Sequence, residues 1–174
     1  MSGWKQAGFW ARDMILSSLI ALVVILFLYQ PVKVEGTSMM PSLEDNERVF
    51  INKFLYRFGL GEVQRGDTVV FWFPMDPSKS YIKRIIGLPG DTVEVKAGMV
   101  YVNDQALNEP YVPVEYRDRV SVPPVRVPPN QYYVLGDHRS SSNDSRNWGP
   151  VPRDAIYGKA VFAYWPFEKL GIVK

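Results

Sequence analysis

Two residues far apart in the chain, a serine and a lysine, are of types that could act together as a nucleophile and its base. Ser38 offers a hydroxyl within Gly36-Thr37-Ser38-Met39-Met40-Pro41, between a threonine, two methionines and a stiffening proline. A serine hydroxyl attacks a carbonyl only when another group takes its proton. Lys83 stands in Tyr81-Ile82-Lys83-Arg84-Ile85-Ile86, where strand alternation puts Tyr81, Lys83 and Ile85 on one face. An ammonium held between an aromatic ring and an isoleucine is poorly hydrated. Its pKa falls, and the neutral amine, the only form able to accept a proton, comes within reach. The same pattern also describes a half-exposed strand whose lysine stretches to water along its apolar stem. His138, the chain's one histidine, is the other candidate base. Its neighbour Asp137 points elsewhere, as adjacent residues do, and is badly placed to orient the ring as a triad requires. A loop histidine with local hydrogen bonds is the simpler reading. The loop 136–146, Gly-Asp-His-Arg-Ser-Ser-Ser-Asn-Asp-Ser-Arg, packs hydroxyls, carboxylates and guanidiniums together. It suits either positioning of an amine or a solvated turn.

The elements that must position these groups follow from patterning. At 174 residues the chain has room for an anchor and one sizeable core, and 47% hydrophobic content can fill that core. Net charge is +2, with basic residues scattered singly, which gives no footing for nucleic acid. There is no cysteine, so disulfides, thiol nucleophiles and cysteine metal sites are excluded. Residues 14–29 read MILSSLIALVVILFLY without a charge. As a helix this is roughly 24 Å at about 1.5 Å per residue, and flanking Phe9, Trp10, Ala11 and Val32 extend it towards a hydrocarbon core of about 30 Å. No small-x-small cleavage site follows it, as a removable leader would require. A core helix apolar on every face would be an odd element at this position. A single membrane anchor is therefore expected. Lys5 and Arg12 before it place residues 1–13 in the cytoplasm.

After Pro31 the period changes to two. Strands are expected from Val32 to Glu35, at Val49-Phe50-Ile51, at 68–73, 81–86, 132–135 and 155–164. A hairpin or loop is expected at 54–63, a turn at Arg65-Gly66-Asp67 and a loop at 74–79. A hairpin at 92–107 and a proline-rich, charged stretch at 108–131 together form a small surface excursion. The expected organisation is a stub and anchor at 1–30, then a mainly antiparallel β catalytic domain at 31–174 carrying the excursion at about 92–131.

Four blocks in this order resemble the bacterial type I signal (leader) peptidases in their short, singly anchored form. They are Gly36-Thr37-Ser38-Met39-Met40-Pro41, then Arg65-Gly66-Asp67-Thr68-Val69-Val70-Phe71, then Tyr81-Ile82-Lys83-Arg84 with Gly87-Leu88-Pro89-Gly90-Asp91, and last Gly136-Asp137 with Ser142-Asn143-Asp144-Ser145-Arg146. A single serine block would be weak evidence; four in order behind an anchor are specific. The resemblance implies that Ser38 is the nucleophile and Lys83 the general base. It implies that Ser142 orients the lysine amine, and that Asp144 and Arg146, with Asp137 and Arg84, form structural ion pairs. It implies a substrate cleft walled by Val32, Val34, Met39, Leu43, Tyr81 and Ile82. Small apolar pockets there would favour preproteins with small side chains one and three residues before the cut, bound as an extended strand.

Two positions depart from the family pattern. Gly36 replaces a serine that in some members helps form the oxyanion hole. The hole would then rest on the Ser38 backbone N–H and another donor, for which Thr37 is poorly placed because it is adjacent. His138 replaces an asparagine common in the family. The expectation is a serine endopeptidase acting at the outer face of the cytoplasmic membrane, with preproteins and membrane lipid as partners, no nucleic acid, and no metal or organic cofactor. A self-cleaving Ser-Lys switch of the repressor type, and a catalytically silent membrane-tethered peptide-binding domain, are the alternatives.

Overall fold

The computed structural model describes residues 3–54 and 61–173, with side chains left out for residues 3–7 and for Val24, Leu26 and Phe27. The expected hairpin at 54–63, with Tyr56, Phe58 and Leu60, falls mostly outside the described residues, as does the Lys5 side chain. The chain opens with helix α1, Gly3–Leu28, which starts well before the charge-free run. Over the described residues alone, no helix is long and apolar enough to cross a membrane. Tyr29, expected inside the anchor, instead starts strand β1, Tyr29–Lys33. The Lys53 N–H donates to the Leu28 carbonyl at 3.2 Å, tying the last residue of α1 to the sheet.

The rest is antiparallel β. The first sheet contains β1, β2 (Arg48–Asn52), β3 (Thr68–Phe73), β4 (Asp76–Gly87), β9 (Gln131–Leu135), β10 (Val151–Pro152), β11 (Ile156–Trp165) and β12 (Gly171–Ile172). Its order is β1-β2-β11-β3-β4-β9-β10, with β12 on β11, so β1 is an edge strand. The second sheet has order β7-β6-β5-β8 and uses β5 (Thr92–Lys96), β6 (Met99–Val102), β7 (Gln105–Ala106) and β8 (Val122–Arg126). The apolar run of β3 is buried on both faces. Val70 joins a cluster with Val34, Met39, Leu43, Val49, Ile51, Ala160 and Ala163, while Val69 and Phe71 join Ile85, Val134 and Ile156. Trp72, at its end, is exposed.

Two expectations change. The loop expected at 74–79 is a tight turn, because β4 already starts at Asp76 and pairs Phe73 with it. The excursion at 92–131 is more than surface: β8 returns to pair with β5, and Val112 and Val127 are buried. Proline and charge mark this stretch, yet isolated valines between them supply the core of the second sheet, where Val127 packs with Val93, Val95 and Tyr133. Val127→Ala should therefore destabilise the protein by about 2 kcal/mol, through lost burial and the space left behind. Denaturant unfolding measures this, and a surface residue would show no change.

Candidate active site

Ser38 sits on a short connection fixed from both sides. The Val34 N–H donates to the Glu47 carbonyl at 2.8 Å, which continues the β1–β2 pairing past Lys33. Gly36 then takes a φ of +89°, a region that favours glycine, and its N–H donates to Asp45 Oδ1 at 2.7 Å. That N–H is thus committed and does not point to a substrate oxygen. Beyond the serine, Met39 and Leu43 are buried and linked by a 2.9 Å backbone hydrogen bond, so they pin the connection to the core. From the far side, the His138 N–H donates to the Ser38 carbonyl at 3.1 Å.

Lys83 comes from β4, opposite Val69 of β3. It is 4% exposed. Its Nζ is 2.6 Å from Ser38 Oγ and 3.0 Å from the Ile82 carbonyl. The amine also sits 5.5 Å from the centre of the Tyr81 ring, on the strand face that alternation predicts. Burial lowers its pKa from 10.5 to about 8, while the carboxylates of Asp144 and Asp137 pull it partly back up.

The next residue, Arg84, turns to the other face and meets Asp137 through Nε at 2.8 Å and Nη2 at 2.6 Å, both side chains almost fully buried. It also meets the Gly66 carbonyl at 2.9 Å and Ser42 Oγ at 3.3 Å, with the guanidinium 4.1 Å from the Tyr111 ring centre. Asp144 accepts from the Gly136 N–H at 3.1 Å and from Arg146 Nε at 2.8 Å. It also caps the helical turn Ser145–Trp148 by accepting from the Arg146 N–H. These are the four charged residues that the resemblance implies as ion pairs.

Two expected roles, that of Ser142 and that shared by Met39 and Leu43, meet a different geometry, while His138 keeps to the simpler reading. Ser142 is not bonded to Lys83: its hydroxyl is buried without a hydrogen-bond partner, and the amine's described bonds go to Ser38 and Ile82. Met39 and Leu43 are buried in the core and are not among the residues that line the cleft. His138 does not bond to Asp137, whose carboxylate is taken by Arg84. Instead its Nδ1 donates to the Thr37 carbonyl at 3.2 Å, and its ring stands edge-on to Tyr116. Sequence reasoning missed a buried bidentate pair between Arg139 and Glu109 and the contact of Arg146 with Asp118. These link the loop 136–146 to the excursion. No local signal marks Glu109 or Asp118, because their partners lie 28 to 30 residues away.

A cleft of about 520 Å³ opens beside the serine and lysine. Val32, Val34, Tyr81 and Ile82 line it with Val70, Ser80, Ser141 and Asn143. It lies between two strand edges left open. β1 is at the end of its sheet, and β9 pairs with β4 only from Arg84 onwards. Among the described residues no group of three or more His, Asp or Glu side chains is placed to hold a metal ion. Gly136 packs closely against the serine segment: a Cβ there would meet Ser142 Oγ at 2.2 Å and the Ser38 carbonyl at 2.4 Å. Gly136→Ala should thus push the Ser38 backbone away from Lys83 and lower kcat/KM about 100-fold, the scale of a 1 Å misplacement. Steady-state cleavage measures it, and activity within threefold of the parent would show the crowding to be harmless.

A serine hydroxyl in contact with a buried amine, beside paired open strand edges, is equipped for acyl transfer from an extended chain. The comparisons agree with that class. A family model described as signal peptidase, peptidase S26, matches residues 8–165. The probable signal peptidase I-2 of Synechocystis is 39% identical over 178 residues, spanning 98% of this chain and 77% of its own. Signal peptidase I of Bacillus licheniformis is 38% identical over 170 residues, spanning 92% of this chain and 90% of its own. The crystal structure of a signal peptidase I from Enterococcus faecalis superimposes with a TM-score of 0.50 at 32% identity, covering 57% of this chain and 97% of that one. The chain belongs to the signal peptidase, peptidase S26, family.

Proposed function

We propose that this protein is a signal peptidase, a serine endopeptidase that removes N-terminal signal peptides from exported preproteins. The observation that carries the reading is the 2.6 Å contact between Ser38 Oγ and the amine of buried Lys83. When Lys83 is neutral it accepts the Ser38 proton as Oγ attacks the carbonyl before the cut. The C–N bond then breaks, the amine of the mature protein leaves with the proton held by Lys83, and the signal peptide remains as an ester on Ser38. Water, deprotonated by the same amine, attacks the ester carbonyl; the bond to Ser38 Oγ breaks, Oγ takes the proton back from Lys83, and the signal peptide leaves with a free carboxylate. The peptide lies in the cleft as an added strand between β1 and β4. Val32, Val34 and Ile82 leave room there for small side chains one and three residues before the cut. Arg84–Asp137 and Asp144–Arg146 hold the strand and loop on which the site depends, and Ser142 packs against Gly136 beneath it.

The same reading makes α1 a single-pass anchor in a bacterial cytoplasmic membrane, with residues before it in the cytoplasm and the β domain on the outer face. Its support is the charge-free run 14–29, the outward exposure of Phe9, Trp10, Ile15, Leu19, Ile20, Leu22, Val23 and Ile25, and a length of 26 residues, about 39 Å at 1.5 Å per residue. The test is processing of a model preprotein by the full chain in detergent, with sequencing of the mature N-terminus. Because only the neutral amine is the base, kcat/KM should rise about tenfold per pH unit below pH 8 and level off above it. A profile flat from pH 6 to 9 would remove Lys83 from the role.

A further inference from the structure

Resting on the peptidase reading of the cleft, a second feature concerns which extended chains it accepts. Val34 turns both backbone groups to the segment that leads into β2: its N–H donates to the Glu47 carbonyl and its carbonyl accepts from the Asn46 N–H at 2.9 Å. Backbone groups alternate between the two edges of a strand. Those of Lys33 and Glu35 therefore turn to the open edge, where the peptide would bind. Side chains alternate between faces in the same way. Val32 and Val34 pack on the core, whereas Lys33 and Glu35 stand on the opposite face at the rim of the cleft. A bound strand has the same two faces. Its residues one and three before the cut point to the valines, so those two and four before the cut stand beside Lys33 and Glu35.

The charge at this rim is divided along the strand: Glu35 lies at one end beside Asp45, which accepts from the Gly36 N–H, and Lys33 lies at the other. Lys33 is directly opposite Arg48 of β2, and like charges in that relation repel. Among the described residues Arg48 has no ion pair, and Lys33 has only a loose one with Glu35 at 3.9 Å, both ends well exposed. Across the cleft the rim residue is Ser80, which is uncharged, and Lys79 beyond it is already paired with Asp76 at 2.9 Å. We propose that Lys33, backed by Arg48, is a specificity-determining residue that favours an acidic side chain at the outward-facing substrate residue beside it and disfavours a basic one. Glu35 limits the preference to that one position.

The test uses the full chain in detergent and one model preprotein carrying Glu, Gln or Lys two or four residues before the cut. At one of these positions kcat/KM should follow Glu over Gln over Lys, with Glu about three- to tenfold above Lys, the scale of a cross-strand charge pair. Lys33→Glu should reverse that order, and 1 M salt should flatten it. Ratios within twofold of unity at both positions, or an order that survives Lys33→Glu, would overturn the proposal while leaving the peptidase reading intact. Failure of the parent to process any of these preproteins would instead count against the peptidase reading itself.

Discussion

Replacing Lys83 with methionine, or Ser38 with alanine, should reduce preprotein processing by about 10⁴-fold or more, the scale found when a member of a nucleophile–base unit is removed. The two losses should not add in the double variant, since each alone disables the same proton transfer. Lys83→Met also separates chemistry from folding. The buried amine has its pKa lowered from 10.5 to about 8, so below pH 8 the folded protein holds a charge that the unfolded chain would solvate better. At 1.36 kcal/mol per pH unit that penalty is about 3 kcal/mol. Between pH 8 and 10.5 the unfolded chain binds more protons than the folded one, so stability rises with pH across this window and levels off above it. The methionine variant lacks this slope. At pH 7 it should be at least as stable as the parent, by up to about 3 kcal/mol. A folded, inactive, more stable protein is the expected result. Activity above a tenth of the parent in either single variant would refute the Ser-Lys assignment.

What the sequence conveyed depended on how local each signal was. The alternation around Lys83 is a period-two pattern over six residues, and the structure puts the amine over the Tyr81 ring as that pattern requires. Its contact with Ser38, 45 residues away, is not local. It became an expectation only because four blocks occurred in one order. The resemblance implied Met39 and Leu43 as cleft wall, yet a motif's place in the sequence does not fix the direction of each side chain. The turn after Gly36 sends them into the core and leaves Gly36 and Thr37 at the rim. Glu109 shows the limit more sharply. Proline and charge around it read as a solvated loop, and only the fold reveals that Arg139 supplies its partner in a buried position. A carboxylate becomes a core residue when a guanidinium arrives with it, and that arrival leaves no trace near either residue.

Arg84→Met is expected to cost about 3–5 kcal/mol, because it strands the Asp137 carboxylate away from water without its partner. The arrangement explains why the cost should be high. Arg84 gathers Asp137, the Gly66 carbonyl and Ser42 on one guanidinium, stacked on Tyr111, and Asp137 directly precedes the residue whose N–H holds the Ser38 carbonyl. Loss of the pair therefore loosens the serine as well as the core, and activity at low temperature should fall along with stability. The double variant Arg84→Met/Asp137→Leu removes both charges and should recover much of the stability, since a buried pair replaced by apolar groups is often close to neutral. It should not recover the activity to the same extent, because the Gly66 and Ser42 contacts stay broken. Denaturant unfolding and preprotein cleavage of the two single variants and the double complete the cycle. Equal recovery of both quantities would mean that the pair serves stability alone.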